Sequence, residues 1–99
     1  MSHFVYKLIP PRPTFALDMS DEEAAIMGRH VSYWQELAER RVAVAFGPVA
    51  DPAGGWGLGV VEAEGEEEVT AIRDADPAVA TGLGSVEIYE MPGAIVPPR

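Results

Sequence analysis

Two hydrophobic periodicities alternate along this chain, and their order leaves few folds open. From His3 to Ile9, Phe4, Tyr6 and Leu8 alternate with His3, Val5, Lys7 and Ile9 in a run of β-favouring residues, which predicts a strand. Pro10, Pro11 and Pro13 stop it, because proline cannot donate to a ladder and forces its predecessor into extended geometry. Ser20 followed three residues later by Glu23 forms a capping box, and Asp21, Glu22 and Glu23 suit the positive end of a helix dipole. In the helix so opened, Met27, His30, Trp34, Leu37 and Arg41 recur at i+3 and i+4 beside Ala24 and Ala38, and Arg40 and Arg41 suit its far end. Its inner stripe is apolar except for the imidazole of His30.

Val42 to Phe46 is a short β-branched run that Gly47, Pro48 and the turn-forming Asp51, Pro52, Gly54 and Gly55 close. Gly57 to Glu64 resumes extended structure, so the two runs predict a hairpin with a long loop. Gly55, Gly57 and Gly59 cluster around Trp56, which implies a bulge or a close approach of backbone to another group. Glu66 to Ala75 places Val69, Ile72 and Ala75 at helical spacing behind three glutamates. Asp76 is pushed out of helical geometry by Pro77 and is suited to cap a small turn over Pro77–Ala80, which Gly82 and Gly84 end. Ser85 to Met91 predicts a last strand. The tail from Pro92 to Arg99 has no periodicity and reads as an arm.

The resulting order, β-α-β-β-α-β, is that of an α+β, ferredoxin-like split βαβ arrangement. Right-handed crossovers put both helices on one face of a four-stranded antiparallel sheet. The other face then needs a cover, and in a chain this short the expected cover is a second copy, giving a homodimer. The 99 residues suffice for one domain, with a core over 3–91 and the tail over 92–99. No apolar run approaches the roughly 18–20 residues of a membrane span, and the chain opens on a strand-like segment instead of a leader, so a cytoplasmic protein with no membrane partner is expected. Without cysteine, disulfides, thiolate metal sites and thiol nucleophiles are excluded. Sixteen acidic against seven basic residues give a net charge of −9, which repels nucleic acid and anionic membrane surfaces alike.

No phosphate-binding loop, dinucleotide fingerprint, HExxH or GxSxG motif occurs, so no cofactor is expected. Glu62, Glu64, Glu66, Glu67 and Glu68 have no histidine at ligand spacing; they read as a solvated helix start, and no metal is expected. His3, near a terminus on a strand edge, is assigned to packing. His30 is the candidate for chemistry. It lies ten residues after Ser20, as Asp76 lies ten after Glu66. At 1.5 Å per residue both stand about 15 Å down two helices that start at the same end of the sheet. A carboxylate beside an imidazole fixes its tautomer, as a general acid/base requires; the alternative is an inward histidine satisfied by a capping aspartate, without chemistry. Trp34 on the inner stripe belongs to the core or walls a pocket, and Trp56 lids a site or packs on a neighbouring subunit. Arg12 on the proline-rich loop is a candidate to bind a substrate carboxylate through its planar fork, against the alternative of a solvated loop arginine.

The helix segment His30-Val31-Ser32-Tyr33-Trp34, Gly47-Pro48 after the second strand, the Asp51-Pro52…Gly54-Gly55-Trp56-Gly57 hairpin and Asp76-Pro77 after the second helix together resemble the YciI-like (YCII-related) family from about His3 to Met91. The resemblance implies a dimeric α+β barrel, akin in fold to muconolactone isomerases and small monooxygenases, and a site formed by His30 and Asp76. It also marks a departure: where the family often has glycine after the first helix, this chain has Arg40-Arg41-Val42. The expected function is cofactor-independent proton transfer, of lyase or isomerase type, on a small organic acid. His30 is then the acid/base, Asp76 its orienting partner, and Arg12, Trp34 and Trp56 are substrate contacts. The alternative is a non-catalytic small-molecule-binding or dimeric interaction module in which the pair is structural. A metal-free monooxygenase rests on fold analogy alone.

Overall fold

The computed structural model describes residues 1–98. Strands β1 (Ser2–Ile9), β2 (Ala43–Val49), β3 (Trp56–Ala63) and β4 (Ser85–Glu90) form one antiparallel sheet in the order β2-β3-β1-β4. Helix α1 (Phe15–Asp18) follows β1 and precedes α2 (Asp21–Glu39), while α3 (Glu66–Ala75) and α4 (Pro77–Ala80) join β3 to β4. The register sets Phe4 opposite Val61 and Tyr6 opposite Ile88, so one sheet face presents Phe4, Tyr6, Val61 and Ala63. Trp34 and Leu37 of α2 and Val69 of α3 pack into the same buried cluster, which places both long helices on that face. The split βαβ architecture expected from the order of periodicities is the one observed.

The capping box at the start of α2 is present: Glu23 N–H donates to Ser20 Oγ and Ser20 N–H to Glu23 Oε1. At its other end the helix stops without glycine. Val42 N–H bonds to Leu37 O and Arg41 N–H to Ala38 O, the paired bonds of a Schellman motif, with Arg41 in the left-handed region at φ 60°. Arg41 is therefore the residue that turns the chain out of the helix and is exposed, not the last member of the inner stripe.

The second strand also differs from expectation. It begins one residue later and continues through Gly47 and Pro48 to Val49. Proline is tolerated there because β2 is an edge strand, whose outward backbone groups need no ladder partner. The irregularity in the hairpin lies in β2, between Ala43 and Ala45, and not among the glycines. Gly59 instead serves close approach: a Cβ there would lie 2.6 Å from the indole of Trp34.

Candidate functional site

Trp34 is the anchor of the helix face. It is 1% exposed, packs edge-on against Tyr6 at 4.7 Å between ring centres, and brings the far rim of its indole against the bare backbone of Gly59. An indole so deep needs a partner for its N–H. The partner is Asp76, itself 0% exposed, whose Oδ2 accepts from Trp34 Nε1 at 3.0 Å and from Tyr6 Oη at 2.8 Å. Asp76 Oδ1 accepts from the backbone N–H of Ala78 at 2.9 Å, which caps α4, and meets His30 Nδ1 at 2.8 Å. The position of Asp76 follows from the local sequence: Pro77 holds its backbone extended (φ −68°, ψ 124°) between α3 and α4, so the carboxylate turns inward beneath α2.

These contacts decide the charge state. Burial pushes the Asp76 carboxyl up, but hydrogen bonds from His30, Trp34 and the Ala78 N–H outweigh it and hold its pKa below the ordinary range. The Tyr6 hydroxyl is driven the other way, by burial first and then by the adjacent Asp76 charge, so it stays a donor. An ionised carboxylate is acceptor-only, and therefore the hydrogen between Asp76 and His30 sits on Nδ1. In the neutral ring the lone pair is then on Nε2.

The His30 ring borders a cleft of about 810 Å³ between α2, the proline-rich loop, the β2–β3 hairpin and the α4–β4 connection. Met27, Trp34, Phe46 and Leu83 give it predominantly apolar walls, while Asp76 supports the ring from beneath. The structure thus brings His30, Asp76 and Trp34 together; Trp56 borders the hairpin end of the cleft, but alternation along β3 turns its ring to the sheet face that carries Leu58 and Lys7. Trp56 Nε1 donates to Asp51 Oδ2 at 3.1 Å, and Lys7 Nζ stands 4.9 Å from the ring centre.

Arg12 is elsewhere. Its guanidinium donates to Asp18 Oδ1 (2.7 Å), Asp18 O (3.0 Å) and both oxygens of Glu23 (2.9 and 2.7 Å), clamping the loop to the start of α2. It is not part of the cleft lining, so its fork is engaged by the protein's own carboxylates and not turned to a ligand. The Glu23 carboxyl is held down to about 2, by Arg12 first and then by the Ser20 N–H. His3 packs on the sheet with Nε2 3.6 Å from Glu62. Among the described residues no group of three or more His, Asp or Glu side chains is arranged to hold a metal ion. Tyr6 was not singled out from the sequence. The signal was its place between Phe4 and Leu8 on the buried side of β1, where a tyrosine hydroxyl must find an acceptor.

Residues 4–92 match the YCII-related domain, and the chain belongs to that family. Among solved structures it is similar to 5-chloro-2-hydroxyhydroquinone dehydrochlorinase (TftG) from Burkholderia phenoliruptrix AC1100, determined in complex with 2,5-dihydroxybenzoquinone. The TM-score is 0.65 at 18% identity, over 92% of this chain and 93% of that one, a likeness of fold. A search of curated protein sequences finds no significant match.

Proposed function

We propose that the cleft beside His30 is the active site of a cofactor-independent enzyme that transfers protons, as a lyase or isomerase, on a small and weakly acidic organic molecule. The observation that carries this reading is the orientation of His30: Nδ1 is committed to a buried carboxylate, and the ring borders an apolar cleft. His30 Nε2 would take a proton from an acidic C–H or phenolic O–H of the substrate. The freed electron pair would form a new double bond, either shifting an existing one, with the proton returned from the imidazolium, or expelling a leaving group with its bonding pair. Asp76 stabilises the imidazolium formed on the way. The acidity would not be that of a carboxylic acid, because among the described residues no lysine or arginine lines the cleft. Trp34 and Phe46, whose rings lie 6.1 Å apart, suit a flat, neutral ring. The similar fold that acts on a chlorinated hydroquinone supports the lyase form.

Two further parts belong to this reading. Val5, Leu58 and Val60 share the sheet face away from the helices and are half-buried, and Tyr89 beside them is 54% exposed. We infer that this face stacks on a second copy, so sedimentation equilibrium should return twice the 10.6 kDa chain mass. A cytoplasmic location is part of this proposal; among the described residues no helix is long and apolar enough to cross a membrane.

The test is turnover of a panel of halogenated hydroquinones and small enolisable ketones, followed by halide release or proton exchange. His30→Gln is expected to fold as the wild type does and to lose about 10²-fold or more in kcat. Unchanged turnover in His30→Gln would end the acid/base reading. Binding of these rings without turnover by the wild type would favour the binding module.

A further inference from the structure

The mouth of the cleft is apolar in a way its own protomer does not use. Leu17 is 91% exposed, Val31 41% and Met19 38%, and all three border the cleft together with Met27. Leu17 is not exposed through looseness. Phe15, two residues earlier, is buried at 5% exposure, and Asp18, one residue later, is held by Arg12 and by Thr14 Oγ1 at 2.6 Å. The loop is fixed and presents a leucine outward beside the cleft.

The chain carries a second apolar element without a partner. Beyond β4 the arm Gly93-Ala94-Ile95-Val96-Pro97-Pro98 adopts neither helix nor strand. Ala94 and Val96 are half-buried while Ile95 between them is 99% exposed, so one side of the arm rests on the protomer and the other projects. No residue of the arm lines the cleft of its own chain. The reason is its point of departure. Met91 N–H bonds to His3 O, at the start of β1, whereas the cleft opens at the far end, beyond Ile9. The six steps from His3 to Ile9 span about 20 Å. Ile95 lies four residues beyond Met91 and reaches at most about 14 Å from it fully extended, which falls short of the far end of the sheet and of Leu17.

We infer that the apolar rim at Leu17, Met19 and Val31 receives the C-terminal arm of a second copy, with Ile95 as the anchor, so that each cleft is completed by its partner. This rests on the stacked-sheet dimer proposed above. If the twofold axis crosses the strands, the partner's Met91 end comes to the Ile9 end of this protomer. The exchange is then reciprocal, as a twofold interface requires. The arm would close the cleft with Ile95 and the proline pair, an apolar lid in keeping with a neutral substrate, and exclude water from His30.

The chain has no cysteine, so a disulfide reports on the pair of positions chosen and on nothing else. Chains carrying Ile95→Cys are mixed with chains carrying Leu17→Cys and oxidised mildly. With subunits exchanged by joint unfolding and refolding before oxidation, about half of the material, the share of mixed dimers in random pairing, should run at twice the chain mass on a non-reducing gel, while Ile95→Cys treated likewise with Glu67→Cys should stay uncoupled. Both positions are exposed, and unfolding curves matching the wild type verify that the variants fold. The double variant Leu17→Cys/Ile95→Cys on one chain should likewise give linked dimers. An internally closed monomer would overturn the inference by showing the arm on its own cleft. A dimer by sedimentation with no Ile95–Leu17 coupling would overturn it too, leaving the stacked dimer standing. A monomer by sedimentation would remove both.

Discussion

Two carboxylate clusters in this protein are each held by a dense set of hydrogen bonds and stand in opposite relations to water. Asp76 receives four donors, from Tyr6, His30, Trp34 and Ala78, with none of its surface exposed. Arg12 donates four bonds to Asp18 and Glu23 at the surface. In the first, the donors on Tyr6, Trp34 and Ala78 would be stranded without the acceptor, because no solvent reaches them. In the second, water and salt replace each bond as it breaks. Bond geometry alone does not rank the two; access of water does. The buried cluster holds the candidate catalytic ring, and the exposed one holds the loop that forms the cleft mouth.

The most direct attempt to break this contrast is Asp76→Ala. It leaves buried donors on Tyr6, Trp34 and Ala78 unpaired and should cost about 3–5 kcal/mol in urea unfolding. A loss no larger than that of Arg12→Gln would make the two clusters equivalent. Gly59→Ala comes next. Its added Cβ would meet a Trp34 ring that Asp76 holds in place, so a cost of about 1–3 kcal/mol is expected by thermal unfolding, with a changed near-ultraviolet dichroism. A neutral result would mean that the indole moves freely despite its bond.

Acid sharpens the comparison further. The folded pKa of Asp76 lies below the ordinary 3.8, so its contribution to stability is complete above that value and drains as pH falls through the lowered one. Glu23, at about 2, follows the same sign, but its exposed interactions are screened by salt. In about 1 M salt, acid unfolding below pH 3.8 should be less steep in Asp76→Asn than in the wild type, while Glu23→Gln should match it. The smallest effect is that of Arg12→Gln itself: a slight destabilisation at low salt that vanishes at high salt. Persistence at high salt would mean that water does not compete there.

Much of this was readable from residues. Ser20 and Glu23, Glu66 to Asp76, and Pro77 carry local signals. His30 and Asp76 do meet, at 2.8 Å, but not for the reason the residue count gave: β3 ends at Ala63 beside Ser2 whereas α2 follows the Ile9 end of β1, so α2 and α3 start at opposite ends of the sheet and run antiparallel, and the two residues share a level because His30 lies midway along the 19-residue α2. What escaped depended on contacts distant in sequence or on competition. Tyr6 and Asp76 are 70 residues apart, and nothing in the chain pairs them except that both must be satisfied inside. Arg12 offered a free fork only while Glu23 was credited to the capping box alone; in the structure one carboxylate serves both. Strand β2 was cut short at Pro48 because a proline stops a central strand, and whether a strand is central is a property of the sheet.

That last residue also governs how this chain can meet others. Pro48 removes a donor from the free side of β2, and the opposite rim of the sheet, β4, carries Glu87 and Glu90. Neither margin offers a clean, neutral row of backbone groups for another strand to join. Open-ended ribbon growth is disfavoured from both sides, and the stacked dimer proposed above, which uses the broad face of the sheet, would close at two copies instead of propagating.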